Sequence, residues 1–138
     1  MSAGLCTFQI GPYACALDVS LVREVMRPRL VTPVPKAPEG VVGLLSVRGR
    51  IITAYDLGPR LGLTARGDEP ARFGILIDSD TAPLCLMVDA IGEVGHPDAD
   101  RMEPPPASLD ARVRPYIEAA YRGPRSLFLV LAAEALAP

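Results

Sequence analysis

The chain has 138 residues, of which 49% are hydrophobic, so it has the size of one domain and enough apolar side chains to bury a core. Its 14 basic and 16 acidic residues leave a net charge of −2, which indicates neither a strongly basic nucleic-acid binder nor an acidic tail. The 15 prolines are about twice the roughly 5% average usage and exclude an all-helical bundle.

The cysteines and the single histidine argue against a metal centre. No two of the three cysteines have a CxxC spacing, and one imidazole cannot build a two-histidine site. No apolar run reaches the roughly 18 residues that a membrane-spanning helix needs, and the first residues lack the pattern of a secretory signal. We therefore expect one cytoplasmic domain over residues 1–138, with Cys6, Cys15 and Cys85 as small buried hydrophobic residues.

The first half of the chain predicts short strands joined by tight turns. The predicted strands are residues 5–10, 13–18, 42–47 and 51–55. Gly11-Pro12 and Arg48-Gly49 provide the turns, and a glycine supplies the positive φ that such a hairpin requires. Residues 19–26 predict a helical turn.

The second half of the chain continues in the same style. The predicted strands are residues 73–77, 84–88, 91–94, 117–121 and 127–131. Asp56 is the expected cap of a helical turn before them, residues 64–71 are expected to be a loop, and helical turns are expected after Ser108 and at residues 132–137. About eight to ten strands in two halves of similar rhythm predict two small barrels or one sandwich.

An enzyme is poorly supported by the carboxylates. Those that could act as general acids or calcium ligands are Asp56, Asp78, Asp80, Asp89, Asp98 and Asp100. The two closely spaced pairs lie where turns are expected, because short acidic side chains bond the local backbone there. We predict no catalytic residue, metal site or cofactor.

A nucleic-acid reading is also weak. Lys36 is the one lysine among the 14 basic residues, and a small β-barrel with Phe8, Tyr13, Tyr55 and Phe73 could bind single strands. However, the arginines are dispersed, and four tyrosines and three phenylalanines supply few stacking surfaces. A small β-barrel nucleic-acid-binding module stays open as an alternative of another class.

Residues 32–57 are the most informative segment. They read TPVPKAPEGVVGLLSVRGRIITAYDL. This segment resembles the CheW family of bacterial chemosensory adaptors, whose pattern is Val-Pro, Pro, Gly-hydrophobic-hydrophobic-Asn-Leu-Arg-Gly, a hydrophobic strand and Asp-Leu. The resemblance extends over nearly the whole chain, through residues 8–26, 86–94, 102–106 and 127–131.

The resemblance implies an all-β fold with short helices, built as two intertwined five-stranded SH3-like β-barrel subdomains around a shared hydrophobic centre. It implies a non-enzymatic scaffold without cofactors. Such adaptors couple the cytoplasmic tip of a chemoreceptor, a methyl-accepting chemotaxis protein, to the regulatory domain of a CheA-type histidine kinase, which is itself CheW-like. We therefore expect these two partners, a cytoplasmic location at receptor arrays, and neither nucleic acid binding nor membrane insertion.

The resemblance also assigns residues. The expected partner-binding residues are Val22, Glu24, Arg48 and Glu103, and the expected structural turn residues are Gly43, Gly49 and Asp89. Arg48 matches an arginine linked with receptor and kinase coupling, while Val22 and Glu24 match positions near the receptor-facing groove between the barrels. The alternatives are a core valine for Val22 and a solvated hairpin arginine for Arg48.

The sequence departs from the family pattern at two places. Ser46-Val47 stands where the family has Asn-Leu, so hydrogen bonding at this turn is expected to differ. Glu103 stands where many members carry an arginine before Pro-x-Pro, which inverts the charge at an edge that would make a second kinase contact. These departures leave open an accessory adaptor that binds receptors but not the kinase.

Overall fold

Strands and tight turns account for most of the structure, a computed structural model that describes residues 4–28, 31–63, 73–77, 83–96 and 99–132. The strands in these ranges are β1 Leu5–Ile10, β2 Tyr13–Asp18, β3 Val22–Met26, β4 Val41–Val47, β5 Arg50–Tyr55, β6 Phe73–Ile77, β7 Leu84–Val88, β8 Ala90–Gly95, β9 Met102–Glu103, β10 Ile117–Arg122 and β11 Leu127–Leu131. Short 3₁₀ helices cover Val19–Leu21, Gly58–Leu61, Ala99–Arg101 and Arg114–Tyr116.

Three sequence-based predictions lie outside the described residues. They are the loop at residues 64–71, the carboxylates Asp78, Asp80 and Asp98, and nearly all of the closing helix at residues 132–137. The predicted strands and hairpins are otherwise present. The two-residue strand β9 was not predicted, because Met102 and Glu103 carry no periodic pattern of their own.

The strands form two sheets that divide the chain unevenly. The terminal sheet has the order β8-β1-β2-β11-β10-β9 and takes its hairpins from the two ends of the chain, whereas the middle sheet has the order β3-β6-β7-β5-β4. The chain passes from β2 of the terminal sheet into β3 of the middle sheet. It passes back from β7 of the middle sheet into β8 of the terminal sheet. The two halves are therefore intertwined.

The two sheets share one arrangement of strand pairs. In each, an edge strand pairs antiparallel with a hairpin, the hairpin's second strand runs parallel to an inner strand, and that strand belongs to a second hairpin. The edge strands β3 and β8 both pair with an irregular register, which lies between Val22 and Glu24 in β3. Val25 on β3 lies opposite Ile75 on β6, and Val94 on β8 lies opposite Cys6 on β1. The two valines occupy corresponding positions in the two sheets. Glu24 and Glu93, which directly precede them, therefore also correspond.

Both faces of each sheet contribute to packing. Alternate side chains of one strand point to opposite faces, so Ile75 and Ile77 enter a cluster built from both sheets while Leu76 enters one confined to the middle sheet. A third cluster around Leu5 and Tyr121 belongs to the terminal sheet alone. The shared cluster joins the sheets, and each of the other two covers the opposite face of one sheet.

The predicted helical turn at residues 19–26 is wrong in its second half. A 3₁₀ turn forms at Val19–Leu21, with Asp18 Oδ1 accepting from the Ser20 N–H at 2.9 Å, but Val22–Met26 is strand β3. Its side chains alternate between half-buried and exposed, and β3 pairs with β6. The β-branched Val22 and Val25 suit a strand, and a segment this short has too few helical hydrogen bonds to oppose that pairing.

Asp56 caps a turn as predicted. Its Oδ1 accepts from the Gly58 N–H at 2.9 Å, immediately before the 3₁₀ helix Gly58–Leu61. The chain also turns at Arg114–Tyr116, downstream of Ser108 as expected. These short helices connect strands and leave the architecture all-β.

The three thiols are buried and not joined in disulfides, as the sequence predicted. Burial in apolar surroundings raises the pKa of Cys15 from 9.0 to about 12 and that of Cys85 to about 11, and it also raises the pKa of Cys6. Because the thiolate is the reactive species, these cysteines are unsuited to nucleophilic chemistry.

We expect the native protein to resist iodoacetamide at pH 8, because a raised pKa leaves almost no thiolate below pH 9 and the sulfur atoms are shielded. Mass spectrometry should show no alkylation in buffer and three modified cysteines in urea. Rapid modification of Cys15 in the folded protein would contradict the buried packing of β2.

Candidate partner-binding site

The β4–β5 hairpin places Arg48 at its tip. Arg48 has φ +50° and Gly49 has φ +80°, so both central residues adopt the left-handed conformation typical of a type I′ turn. A Cβ on Gly49 would meet nothing within 4 Å, so backbone geometry alone calls for glycine there. Arg48 occupies this conformation as a non-glycine residue, at an energetic cost.

Glu24 reaches Arg48 from the opposite edge of the middle sheet. It lies on β3 beside the irregular register, and such bulges re-aim side chains. The Glu24 carboxylate forms an ion pair and hydrogen bond with the Arg48 guanidinium. Because β3 and β4 are the two outer strands of the middle sheet, this pair spans the gap between them. We call this gap the middle seam.

The ion pair is exposed and therefore contributes little to folding. The Arg48 side chain is 73% accessible and that of Glu24 is 30% accessible. The hydrogen bond that Arg48 donates to Glu24, followed by the negative charge of Glu24, raises the pKa of Arg48, so the guanidinium stays protonated. Water and salt screen such pairs, which makes the geometry of the two side chains more important than the stability they add.

Two grooves flank the pair. One of about 690 Å³ is lined by residues that include Met26, Leu44 and Ile51, and the other of about 410 Å³ includes Arg50 and Ile52. Glu24, Val47 and Arg48 line both grooves. The ion pair is thus a charged divider between two partly apolar depressions.

Exposed aliphatic side chains occur on β3, β4 and β5 of the middle sheet. Ile51 follows the turn and is 75% exposed, although its neighbour in the chain, Ile52, is buried. Val25 on β3 and Val42 on β4 are also exposed. Sequence reasoning did not single out Val25 or Ile51, although strand alternation places each on the face opposite a more buried neighbour.

Val22 lies on the same strand as Glu24 but in a different environment. It is half-buried and packs against the shared cluster between the sheets. This contact matches the alternative interpretation of Val22 as a core valine.

The three predicted turn residues have distinct contacts. A Cβ on Gly43 would lie 2.2 Å from the Thr32 carbonyl oxygen, so glycine permits the close approach of residues 31–32 to β4. Asp89 accepts from the Gly11 N–H at 2.7 Å, and its own N–H donates to the Gln9 carbonyl at 2.9 Å. Asp89 therefore fastens the start of β8 to the β1–β2 turn.

Glu103 lies in the terminal sheet, away from the Glu24–Arg48 pair in the strand order. Its Oε2 accepts from Arg122 Nη2 at 2.6 Å, and Arg101 donates to the Arg122 carbonyl at 3.2 Å. The structure therefore brings Glu24 and Arg48 together and places Glu103 in a separate ion pair.

Three of the aromatic residues that the sequence suggested for stacking, Phe8, Tyr55 and Phe73, present no free ring surface for bases. Phe8 and Tyr55 are buried. The Arg27 guanidinium lies 5.2 Å from the centre of the Phe73 ring, which covers a further aromatic surface. These positions weaken the nucleic-acid interpretation.

Neither a metal-binding cluster nor a membrane-spanning helix is found in the described ranges. No three His, Cys, Asp or Glu side chains there are arranged to hold an ion. No helix in those ranges is both long enough and apolar enough to span a bilayer.

Fold and site together define a two-barrel β protein with a charged pair between two grooves on one barrel. The CheW-like domain model matches residues 4–138. The chain is 28% identical over 131 residues to the chemotaxis protein CheW of Treponema pallidum, covering 92% of this chain and 77% of that protein. It is also 28% identical over 90 residues to the chemotaxis protein CheW of Rhizobium meliloti, covering 65% of this chain and 58% of that protein.

The solved structure of the scaffolding protein TtCheW from Thermoanaerobacter tengcongensis superposes with a TM-score of 0.82 at 27% identity, covering 96% of this chain and 90% of that one. The chain belongs to the CheW-like domain family and is a chemotaxis scaffold of that type. The expected all-β class with two barrel subdomains is confirmed.

We expect Gly43→Ala to destabilise the fold by about 1–3 kcal/mol, because the new methyl group would collide with the Thr32 backbone. Gly49→Ala should cost only about 1 kcal/mol, since it adds no clash and strains only a positive φ. Urea unfolding of both variants measures the difference. Equal losses would show that the approach of residues 31–32 is not tight.

Proposed function

We propose that this chain is a non-enzymatic cytoplasmic adaptor that couples a chemoreceptor cytoplasmic tip to the regulatory domain of a CheA-type histidine kinase. The observation that carries the proposal is the Glu24–Arg48 pair across the middle seam, with a groove on each side. Family membership and the scaffolding title of the structural neighbour support it.

The chemistry of the site suits protein docking. Exposed aliphatic groups such as Ile51 provide apolar area that a partner can cover, while the charged divider fixes the register of that partner. Arg48 can donate to a partner carboxylate with the guanidinium nitrogens that Glu24 does not occupy. Because the pair borders both grooves, a partner in either groove would meet the same two charged side chains.

Arg48→Glu should weaken binding of at least one partner about tenfold while leaving the fold intact, because it reverses a charge at an exposed turn. Isothermal titration of a receptor-tip fragment and of the kinase regulatory domain measures both affinities. Arg112→Glu is the matched control, since this exposed arginine lines neither groove. Unchanged affinity for both partners would reject the role of Arg48.

The reversed pair Glu24→Arg with Arg48→Glu separates two roles of the arginine. If the pair acts by holding the two edges of the middle sheet in position, the double variant should recover at least half of the lost binding free energy. If Arg48 contacts the partner directly, the double variant should bind no better than Arg48→Glu. The same titrations decide between these outcomes.

The Glu103–Arg122 pair favours a second candidate, an accessory adaptor that binds receptors but not the kinase. Its carboxylate already accepts a hydrogen bond from Arg122 within the chain, so Glu103 is poorly placed to bind a partner cation. A pull-down with the kinase regulatory domain tests this candidate. Stoichiometric recovery of the adaptor would reject it.

A further inference from the structure

The terminal sheet has a groove of its own, of about 700 Å³, beside its edge strand β8. The groove lies where β8 approaches β10, since a Cβ on Gly95 would sit 2.8 Å from the Tyr121 ring although the two strands are not neighbours in the sheet. The β10–β11 turn borders its outer rim. We call this the terminal groove.

The internal repeat shows what is missing from the terminal groove. Glu93 corresponds to Glu24 by the register of the edge strands. The parallel pairs Ala54–Cys85 and Val130–Ala16 correspond, and Gly43 lies opposite Ala54 as Ala119 lies opposite Val130. Counting five residues onward from Gly43 and from Ala119 makes Pro124 the counterpart of Arg48. A proline cannot make an ion pair, so the terminal groove has no counterpart of the Glu24–Arg48 ion pair.

The charged side chains of the terminal groove are left available to a ligand. Within the described part of the chain, neither the Glu93 carboxylate nor the Arg125 guanidinium has a hydrogen-bond or ion-pair partner, and both residues are exposed at the groove. Arg101, which uses one Nη atom on the Arg122 carbonyl, is a second cation in the lining. Two guanidinium groups against one carboxylate give the groove a net positive charge.

The groove also has an aromatic wall. Tyr121 and Phe128 stack with ring centres 6.0 Å apart and planes inclined by 24°. Tyr121 is buried and supports Phe128, which is half-buried and lines the groove beside the exposed Val94. An incoming apolar side chain would gain contact area on a surface that is already ordered.

We propose that the terminal groove binds a net-acidic peptide segment of a partner protein, with an aromatic or aliphatic side chain against Phe128. Carboxylates of the segment pair with Arg101 and Arg125, while Glu93 limits how much negative charge the groove accepts. A nucleic acid fits less well, because its phosphates would face the Glu93 carboxylate and offer few donors to it. This site is separate from the Arg48 site and does not rest on the function proposed there.

The test is fluorescence anisotropy of a labelled acetyl-Asp-Glu-Phe-Glu-Asp-amide peptide against the full chain. We expect saturable binding that weakens with added salt, about tenfold weaker binding to Arg125→Glu, and tighter binding to Glu93→Lys. Both substitutions are at exposed residues, so neither should disturb the fold. Misfolding would weaken binding in both variants, so effects of opposite sign exclude misfolding as the cause. Arg48→Glu should bind the peptide as the unmodified chain does.

Three results would overturn the proposal. They are no binding at millimolar peptide, equal binding of a Lys-Lys-Phe-Lys-Lys control, and preferential binding of a single-stranded oligonucleotide that Arg125→Glu abolishes. Each can occur whether or not the receptor and kinase titrations support the adaptor role.

Discussion

The shared cluster between the sheets is the interaction on which the rest of this structure depends. Both sheets contribute fully buried side chains to it, such as Leu17 and Leu131 from the terminal sheet and Ile75 and Leu86 from the middle sheet. Each such side chain contributes about 1.5–3 kcal/mol by leaving water. Neither sheet could keep its inner face dry alone. The two proposed contact sites consequently lie at strand edges and hairpin turns.

The two barrels use the same strand arrangement for different surfaces. In the middle sheet, the edge glutamate finds an arginine at the hairpin tip, and the seam is closed by an ion pair. In the terminal sheet, a proline occupies the corresponding tip position, and the groove beside the edge strand keeps its charges at its rim. Repeated architecture thus allows one barrel to change its surface chemistry while the shared cluster preserves the packing of both.

Much of this fold could be predicted from the sequence, because short apolar runs and Gly-Pro or Arg-Gly turns determine hairpins locally. Segment 22–26 was assigned wrongly, since Val19, Val22 and Met26 also fit a helical spacing and only pairing with β6 decides the matter. The order of strands in the sheets depends on long-range pairing that no local pattern contains. The sequence alone does not show that Glu24 and Glu93 correspond, because only a few residues around each glutamate are alike. The registers of the two edge strands reveal the correspondence.

The exchange of edge strands has a mechanical consequence. Only the three-residue turn Val19–Leu21 separates β2 of the terminal sheet from β3 of the middle sheet, and Asp89 alone separates β7 from β8. Because these connections are so short, a displacement of either edge strand also displaces a central hairpin of the other barrel. The two barrels are therefore interlocked by the chain itself, and neither can move away from the other without drawing on a strand of its neighbour.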